Sequence, residues 1–180
     1  MGRDRAALRQ FIESEGKVAL KPLDAMAGRS VYVVGSDDSN VNVILEDLTR
    51  RGERSVMAQR FLPAVTETGD KRILIVNGEP VPGALARFPA PGQLRANIAA
   101  GGRAEPAELT ARELQICREI GPVLREKGLY FVGIDVIDGW LTEINVTSPT
   151  GIRQIDRHFG TNVAGMLLDV LESERMPPLQ

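Results

Sequence analysis

The residues best suited to chemistry lie in one stretch, Phe131-Val132-Gly133-Ile134-Asp135-Val136-Ile137-Asp138-Gly139-Trp140-Leu141-Thr142-Glu143-Ile144-Asn145-Val146-Thr147-Ser148-Pro149. Two apolar runs flank Asp138-Gly139, a dipeptide suited to a tight hairpin turn. Glu143 and Asn145 are two apart, so they share one face of a strand. Asp135 lies at about the same distance on the other side of the turn, and pairing brings it near them. Hard cations such as Mg²⁺ take oxygen donors and complete their shell with substrate phosphates. The trio therefore reads as a metal and phosphate platform. The ordinary alternative is a set of polar edge residues facing water. The flanking apolar residues argue instead for a central strand, where unpaired carboxylates are costly to bury. Asp138 reads as a turn residue only.

Lys21 ends a short apolar strand and precedes Pro22-Leu23-Asp24-Ala25-Met26-Ala27-Gly28-Arg29-Ser30. Small residues let backbone N–H groups approach phosphate oxygens while a Lys supplies a point charge. The Walker A spacing is absent, and an ordinary turn with a surface Lys is the alternative. Arg72, Arg87, Arg95 and Arg103 sit at strand ends or in a Gly- and Ala-rich segment, and arginines there can grip phosphates or carboxylates through two bonds at once. Arg50, Arg51 and Arg54 read as a solvated face. Cys117 and His158 are the lone cysteine and histidine. Cys117 falls on an apolar helical face as an inert core thiol, and His158 on a surface helix.

Those elements are placed by local signals. Asp4 caps a helix running through Glu15. Val18–Lys21 and Val31–Val34 are strands, Asn40–Arg51 a helix with Val41, Ile44, Leu45 and Leu48 inward, and Ser55–Ala58 a strand. Beyond a polar turn, Arg72–Val76 and Pro80–Phe88 flank an Asn77-Gly78 turn. Pro89–Pro106 shows no periodicity and has the length of a lid loop. Thr110 and Glu113 form a capping-box pattern at the head of the next helix. The Asp135 hairpin, two helices and a frayed tail from Met176 follow. The 180 residues allow one ordinary domain or two small ones, and the net charge of −2 argues against a general nucleic-acid binder. No apolar run approaches the roughly 20 residues of a membrane span. One cysteine gives no disulfide framework, so a reduced, cytoplasmic setting is expected.

With these residues in view, the chain resembles the ATP-grasp portion of bacterial glutathione synthetases. The resemblance rests on Leu20-Lys21-Pro22-Leu23-Asp24, Met57-Ala58-Gln59, Gly69-Asp70-Lys71-Arg72, Asn77-Gly78-Glu79-Pro80-Val81-Pro82, Asn97-Ile98-Ala99-Ala100-Gly101-Gly102-Arg103, Phe131 to Asp135, and Thr142 to Thr150. It covers nearly the whole chain. It implies an α+β ATP-grasp fold of two subdomains, 1–58 and 59–180, with the nucleotide between them. It also implies ADP-forming ligation of γ-glutamylcysteine and glycine, with ATP and Mg²⁺, or Mn²⁺ in its place. Carried over by position, Lys21 would hold ATP phosphates, and the loop with Asp24, Gly28 and Ser30 would close over them. Gln59, Arg60, Phe61 and Leu62 would line the adenine slot, and Asp70 would take the ribose. Asp135, Glu143 and Asn145 would hold the metal. Arg72, Arg87, Arg95 and Arg103 would serve phosphates, the peptide carboxylate and the lid. Thr147 and Ser148 would help seat substrate.

The family pattern carries a further N-terminal domain, which this sequence lacks, and self-association. It has glycines where Ala25, Ala27 and Ala96 stand, and larger residues at Gly83 and Gly151. Ala resists positive φ, so loop closure on phosphate is expected to be impaired. Three arrangements stay open: part of a longer enzyme, a chain working with a separate partner, or a decayed homologue. The alternative functions are a ligase for another carboxylate and amine, or a nucleotide-binding module without turnover.

Overall fold

A computed structural model of the chain describes residues 1–25, 30–94 and 101–175. Gly28, Arg95, Ala27, Ala96, residues 95–100 of the expected lid and the expected tail lie outside the described residues.

The first unit contains α1 (Arg5–Glu15), β1 (Lys17–Pro22), β2 (Tyr32–Gly35), α2 (Val41–Leu48) and β3 (Val56–Arg60). Asp4 caps α1 as expected, its side chain accepting from the Ala7 N–H at 2.7 Å. The strands form an antiparallel sheet in the order β2-β1-β3. Leu8 and Ile12 of α1, with Val41, Leu45 and Leu48 of α2, pack on Val18, Leu20, Val34 and Val56. The pleat then turns Ala19 and Lys21 of β1 to the opposite face. The second helix stops at Leu48, short of the expected Arg51. Thr49 Oγ1 donates to the Leu45 carbonyl at 2.6 Å and accepts from the Gly52 N–H, and such local bonds compete with helix continuation. Arg50 and Arg51 then adopt positive φ.

The second unit contains β4 (Asp70–Val76), β5 (Glu79–Pro80), β6 (Ala84–Phe88), β7 (Arg103–Ala107), α3 (Ala111–Glu126), β8 (Phe131–Ile137), β9 (Trp140–Asn145), α4 (Ile152–Phe159) and α5 (Val163–Arg175). Its antiparallel sheet runs β7-β6-β4-β8-β9, with β5 beside β4. The expected continuous strand Pro80–Phe88 is interrupted. Pro82 lacks a donor for the ladder and Gly83 sits at φ 82. The expected Pro89–Pro106 loop also differs, because its end forms β7, paired with β6 from Ala84↔Ala107 to Phe88↔Arg103. Arg103 stacks over the Phe88 ring at 4.2 Å, and Pro106 is tolerated because β7 is an edge strand. The Thr110–Glu113 capping box forms at the head of α3. No helix among the described residues is long and apolar enough to cross a membrane.

Strand β4 is apolar on both faces over half its length. Ile73 and Ile75 face α3, packing with Ile116, Cys117, Leu124, Val132 and Ile134. Leu74 and Val76 face α4 and α5, with Leu85, Ile155 and Val163. By alternation Asp70 and Arg72 continue that second face beyond the helices, so a polar floor opens where the helical cover ends.

The turn at Asn77-Gly78 packs directly on α3. A Cβ at Gly121 would lie 2.2 Å from the Gly78 carbonyl oxygen, a rigid backbone contact. Gly121→Ala gains about 1 kcal/mol of helix propensity but overpacks this contact at about 1–3 kcal/mol or more. The expected result is a net loss of stability, seen as a lower urea midpoint; an unchanged midpoint would show that α3 and the turn part freely.

Candidate functional site

A cleft of about 960 Å³ lies between the two sheets. One wall is the face of β1 and β3 that carries Lys21 and Gln59; the other is the polar floor of β4, β6, β8 and β9. The Gln59 amide spans the gap, donating to the Thr142 carbonyl at 3.0 Å.

The geometry of the Asp135 hairpin depends on a bulge. Ile137 pairs with Trp140 and Val136 with Leu141, but Asp135 pairs with Glu143 and Gly133 with Asn145. Thr142 is the extra residue, and its hydroxyl donates to the Asp135 carbonyl at 3.0 Å. An unbulged hairpin would set Thr142 opposite Asp135 and turn Glu143 to the α3 side, since a one-residue slip exchanges the faces. Equal spacing about the turn, as expected from sequence, is therefore off by one residue, and the bulge restores the convergence. The expected central position holds for β8 alone, because β9 is an edge strand. Asn145 Nδ2 lies 3.3 Å from Asp135 Oδ2, and Glu143 is exposed.

Arg72 and Arg87 meet the same carboxylate. Arg72 donates to Asp135 from Nε at 2.6 Å and from Nη2 at 3.1 Å, and Arg87 Nη2 reaches Oδ1 at 2.9 Å. Arg87 also donates to Asp70 Oδ2 at 2.7 Å, while Asp70 Oδ1 is buried with no partner among the described residues. Gly133 makes room for this packing; a Cβ there would stand 2.6 Å from Pro149 and 3.2 Å from Arg72 Cδ. Burial pushes the Asp135 carboxyl up, but the Arg72 hydrogen bonds and the Arg87 and Arg72 charges outweigh it and hold it below the usual range. Burial, then the Asp135 charge, push Asp70 up to about 6 against the pull of Arg87, Arg72 and Lys21. Burial weakens the Arg87 proton affinity, but Asp135 and Asp70 outweigh it and raise it.

Other expected residues are scattered more widely. Gln59, Arg60, Phe61 and Leu62 line the cleft, though the Arg60 guanidinium turns away to Glu15 at 2.5 Å. Thr147 and Ser148 line its far end. Asp24 and Ser30 are exposed, and Asp24 pairs with Arg54, so Arg54 is an anchor and not the solvated residue expected. Arg103 lies on edge strand β7, paired with Glu105, and does not line the cleft. Sequence reasoning gave no role to Thr150, whose carbonyl accepts from Arg72 Nη1 at 3.1 Å, or to Trp140, which lines the cleft. Thr150 closes the Thr142–Thr150 motif, the one sequence signal that reaches it. Cys117 is buried in the α3 core, and burial, then Glu113, push its thiol up to about 11.

No cluster of three or more His, Cys, Asp or Glu is placed for a metal among the described residues. The trio on the hairpin is two carboxylates and an amide, an oxygen set suited to a hard ion that keeps waters or phosphate as further ligands. Glu143 is exposed on the cleft wall and leaves carboxylate oxygens open to it, so these residues fit a magnesium nucleotide.

A lysine-bearing antiparallel sheet closing a cleft over a larger sheet with acids, an amide and arginines defines an ATP-grasp protein. Solved structures share the fold. The ATP-grasp ligase PsnB complexed with minimal precursor, Mg and ADP aligns with a TM-score of 0.62 at 18% identity, over 95% of this chain and 50% of that one. The D-cycloserine synthetase DcsG aligns with a TM-score of 0.65 at 15% identity, over 91% and 57%. Residues 1–160 match the family described as prokaryotic glutathione synthetase, ATP-grasp domain, and the chain belongs to that family. It is 56% identical over 167 residues to the glutathione synthetase of Pseudomonas syringae pv. tomato, covering 93% of this chain and 52% of the relative. With that of Escherichia coli K12 it shares 53% over 171 residues, covering 95% and 54%. The chain thus spans about half the length of the curated relatives it matches.

The Asp70 charge generates a pH prediction. The folded value of about 6 lies above the ordinary 3.8, so native stability falls as pH rises through that window. Asp70→Asn still accepts from Arg87 but carries no charge. It is expected to exceed the parent by about 1–3 kcal/mol near pH 7.5 and to lose the advantage below about pH 4. Urea midpoints at the two pH values check this.

Proposed function

We propose that this chain is the ATP-grasp part of a glutathione synthetase, joining γ-glutamylcysteine to glycine with formation of ADP and phosphate. The observation that carries the reading is the meeting of Lys21 on one wall with Arg72, Arg87, Asp135, Glu143 and Asn145 on the other, in a chain at least half identical to enzymes of that name.

A carboxylate is a poor acylating agent at neutral pH, and phosphorylation by ATP supplies a leaving group that the glycine amine can displace. The unit that runs through β3, and so carries Gln59 and Arg60 beyond the expected boundary at 58, serves as one wall, and the unit from β4 onward as the other. Lys21 holds phosphates, the loop bearing Asp24, Gly28 and Ser30 covers them, Gln59 to Leu62 hold the base, and Asp70 takes the ribose. Glu143, Asn145 and Asp135 hold Mg²⁺, for which Mn²⁺ substitutes through the same oxygen donors. The ion neutralises phosphate charge when bound. Arg72 and Arg87, preorganised by Asp135 and Asp70, present N–H groups to the developing negative charge. Arg95 steadies the peptide carboxylate or the cover, and Thr147 and Ser148 seat substrate. Closing the cleft keeps water from the activated acyl group.

Phosphate release from ATP that requires both γ-glutamylcysteine and glycine tests the activity; ADP binding without such release would support a nucleotide-binding module. Glu143 is exposed, so Glu143→Gln is expected to fold normally. It should raise the Mg²⁺ concentration needed for half-maximal ADP binding about tenfold or more, measured by calorimetry; an unchanged requirement would remove Glu143 from the metal site.

A further inference from the structure

Trp140 is 63% exposed, the only tryptophan in the chain, and part of the cleft wall. An indole left in water on an ordered strand forgoes a large burial free energy. Its pairing with Ile137 puts it on the face shared with Asp135 and Glu143. Strand rise sets it at most about 10 Å from Glu143, which suits the reach of an extended nucleotide from its metal-bound phosphates back to its base. The bond from Gln59 to Thr142 ties this end of β9 to the opposite wall, beside Phe61 and Leu62. The indole and Ile137 therefore line the same cleft as Phe61 and Leu62, whose backbone can hydrogen-bond a purine edge.

We infer that Trp140 is the stacking platform for the nucleotide base and sets a preference for purine over pyrimidine nucleotides. The inference rests on the nucleotide reading of the cleft. The indole covers one face of the base as the ligand enters, and Ile137 extends that surface toward the ribose.

The sole tryptophan makes the test direct. Titration of the chain with Mg²⁺ and ADP is expected to change Trp140 fluorescence saturably, and UDP is expected to bind more weakly. By calorimetry, Trp140→Ala should bind ADP about tenfold more weakly, lose most of its preference over UDP, and keep its affinity for inorganic tripolyphosphate, which has no base. Trp140→Phe should keep most of the ADP affinity. An unchanged melting temperature verifies that the exposed site tolerates these changes. ADP affinity unaltered in Trp140→Ala, or an equal loss of ADP and tripolyphosphate affinity, would overturn the stacking role while leaving the nucleotide reading intact. A parent chain that binds neither ligand would overturn both.

Discussion

The carboxylate of Asp135 lies between two buried guanidinium groups, and the rest of the cleft is organised around that contact. Removing three charges from water costs several kcal/mol per ion, and mutual attraction offsets it only when the geometry is good and the remaining polar atoms are satisfied. Here Arg72 binds through two nitrogens, Arg87 adds a third contact, and Asn145 approaches from the neighbouring strand. The Thr150 carbonyl takes a further Arg72 N–H. Such a network holds arginines in fixed positions without long side-chain searches, and fixed positive charge is what anionic ligands require.

That network has local consequences. Asp70 shares Arg87 with Asp135, so two carboxylates stand close together in a dry place, and one of them, Asp70, holds its proton more tightly. Gly133 has no side chain because a Cβ there would collide with Pro149 and crowd the Arg72 side chain. The bulge at Thr142 rotates the end of β9 so that Glu143 joins the same face. Each feature destabilises or constrains the sheet locally, and the apolar halves of β4 and β8, covered by α3 on one face and by α4 and α5 on the other, hold it in place.

The two walls differ in character. The Lys21 wall belongs to a small sheet whose other face is its own core, so it carries its cation independently of the floor. Among the described residues, contact across the cleft includes a single side-chain bond from Gln59. A lightly tied wall facing a rigid floor is an arrangement that can admit and then enclose a ligand. The Arg54–Asp24 pair ties the described start of the loop after Lys21 to the α2–β3 connection.

Much of this was legible in the sequence. The Asp4 cap, the Thr110–Glu113 box, and the Asn77-Gly78 and Asp138-Gly139 turns are signals that act within a few residues, and they appear where expected. The motifs from Lys21 to Thr150 pointed to the family. Other features were not legible, because they arise between residues far apart in the chain. The pairing of Arg72 with Asp135 joins positions 63 apart, the return of Arg103 into β7 depends on Phe88, and the bulge follows from which face the cleft leaves polar. Local propensity fixes where elements begin and turn. Register, bulges and the partner of a buried charge are chosen by packing and desolvation summed over the assembled sheet, and those quantities exist only once the strands have met.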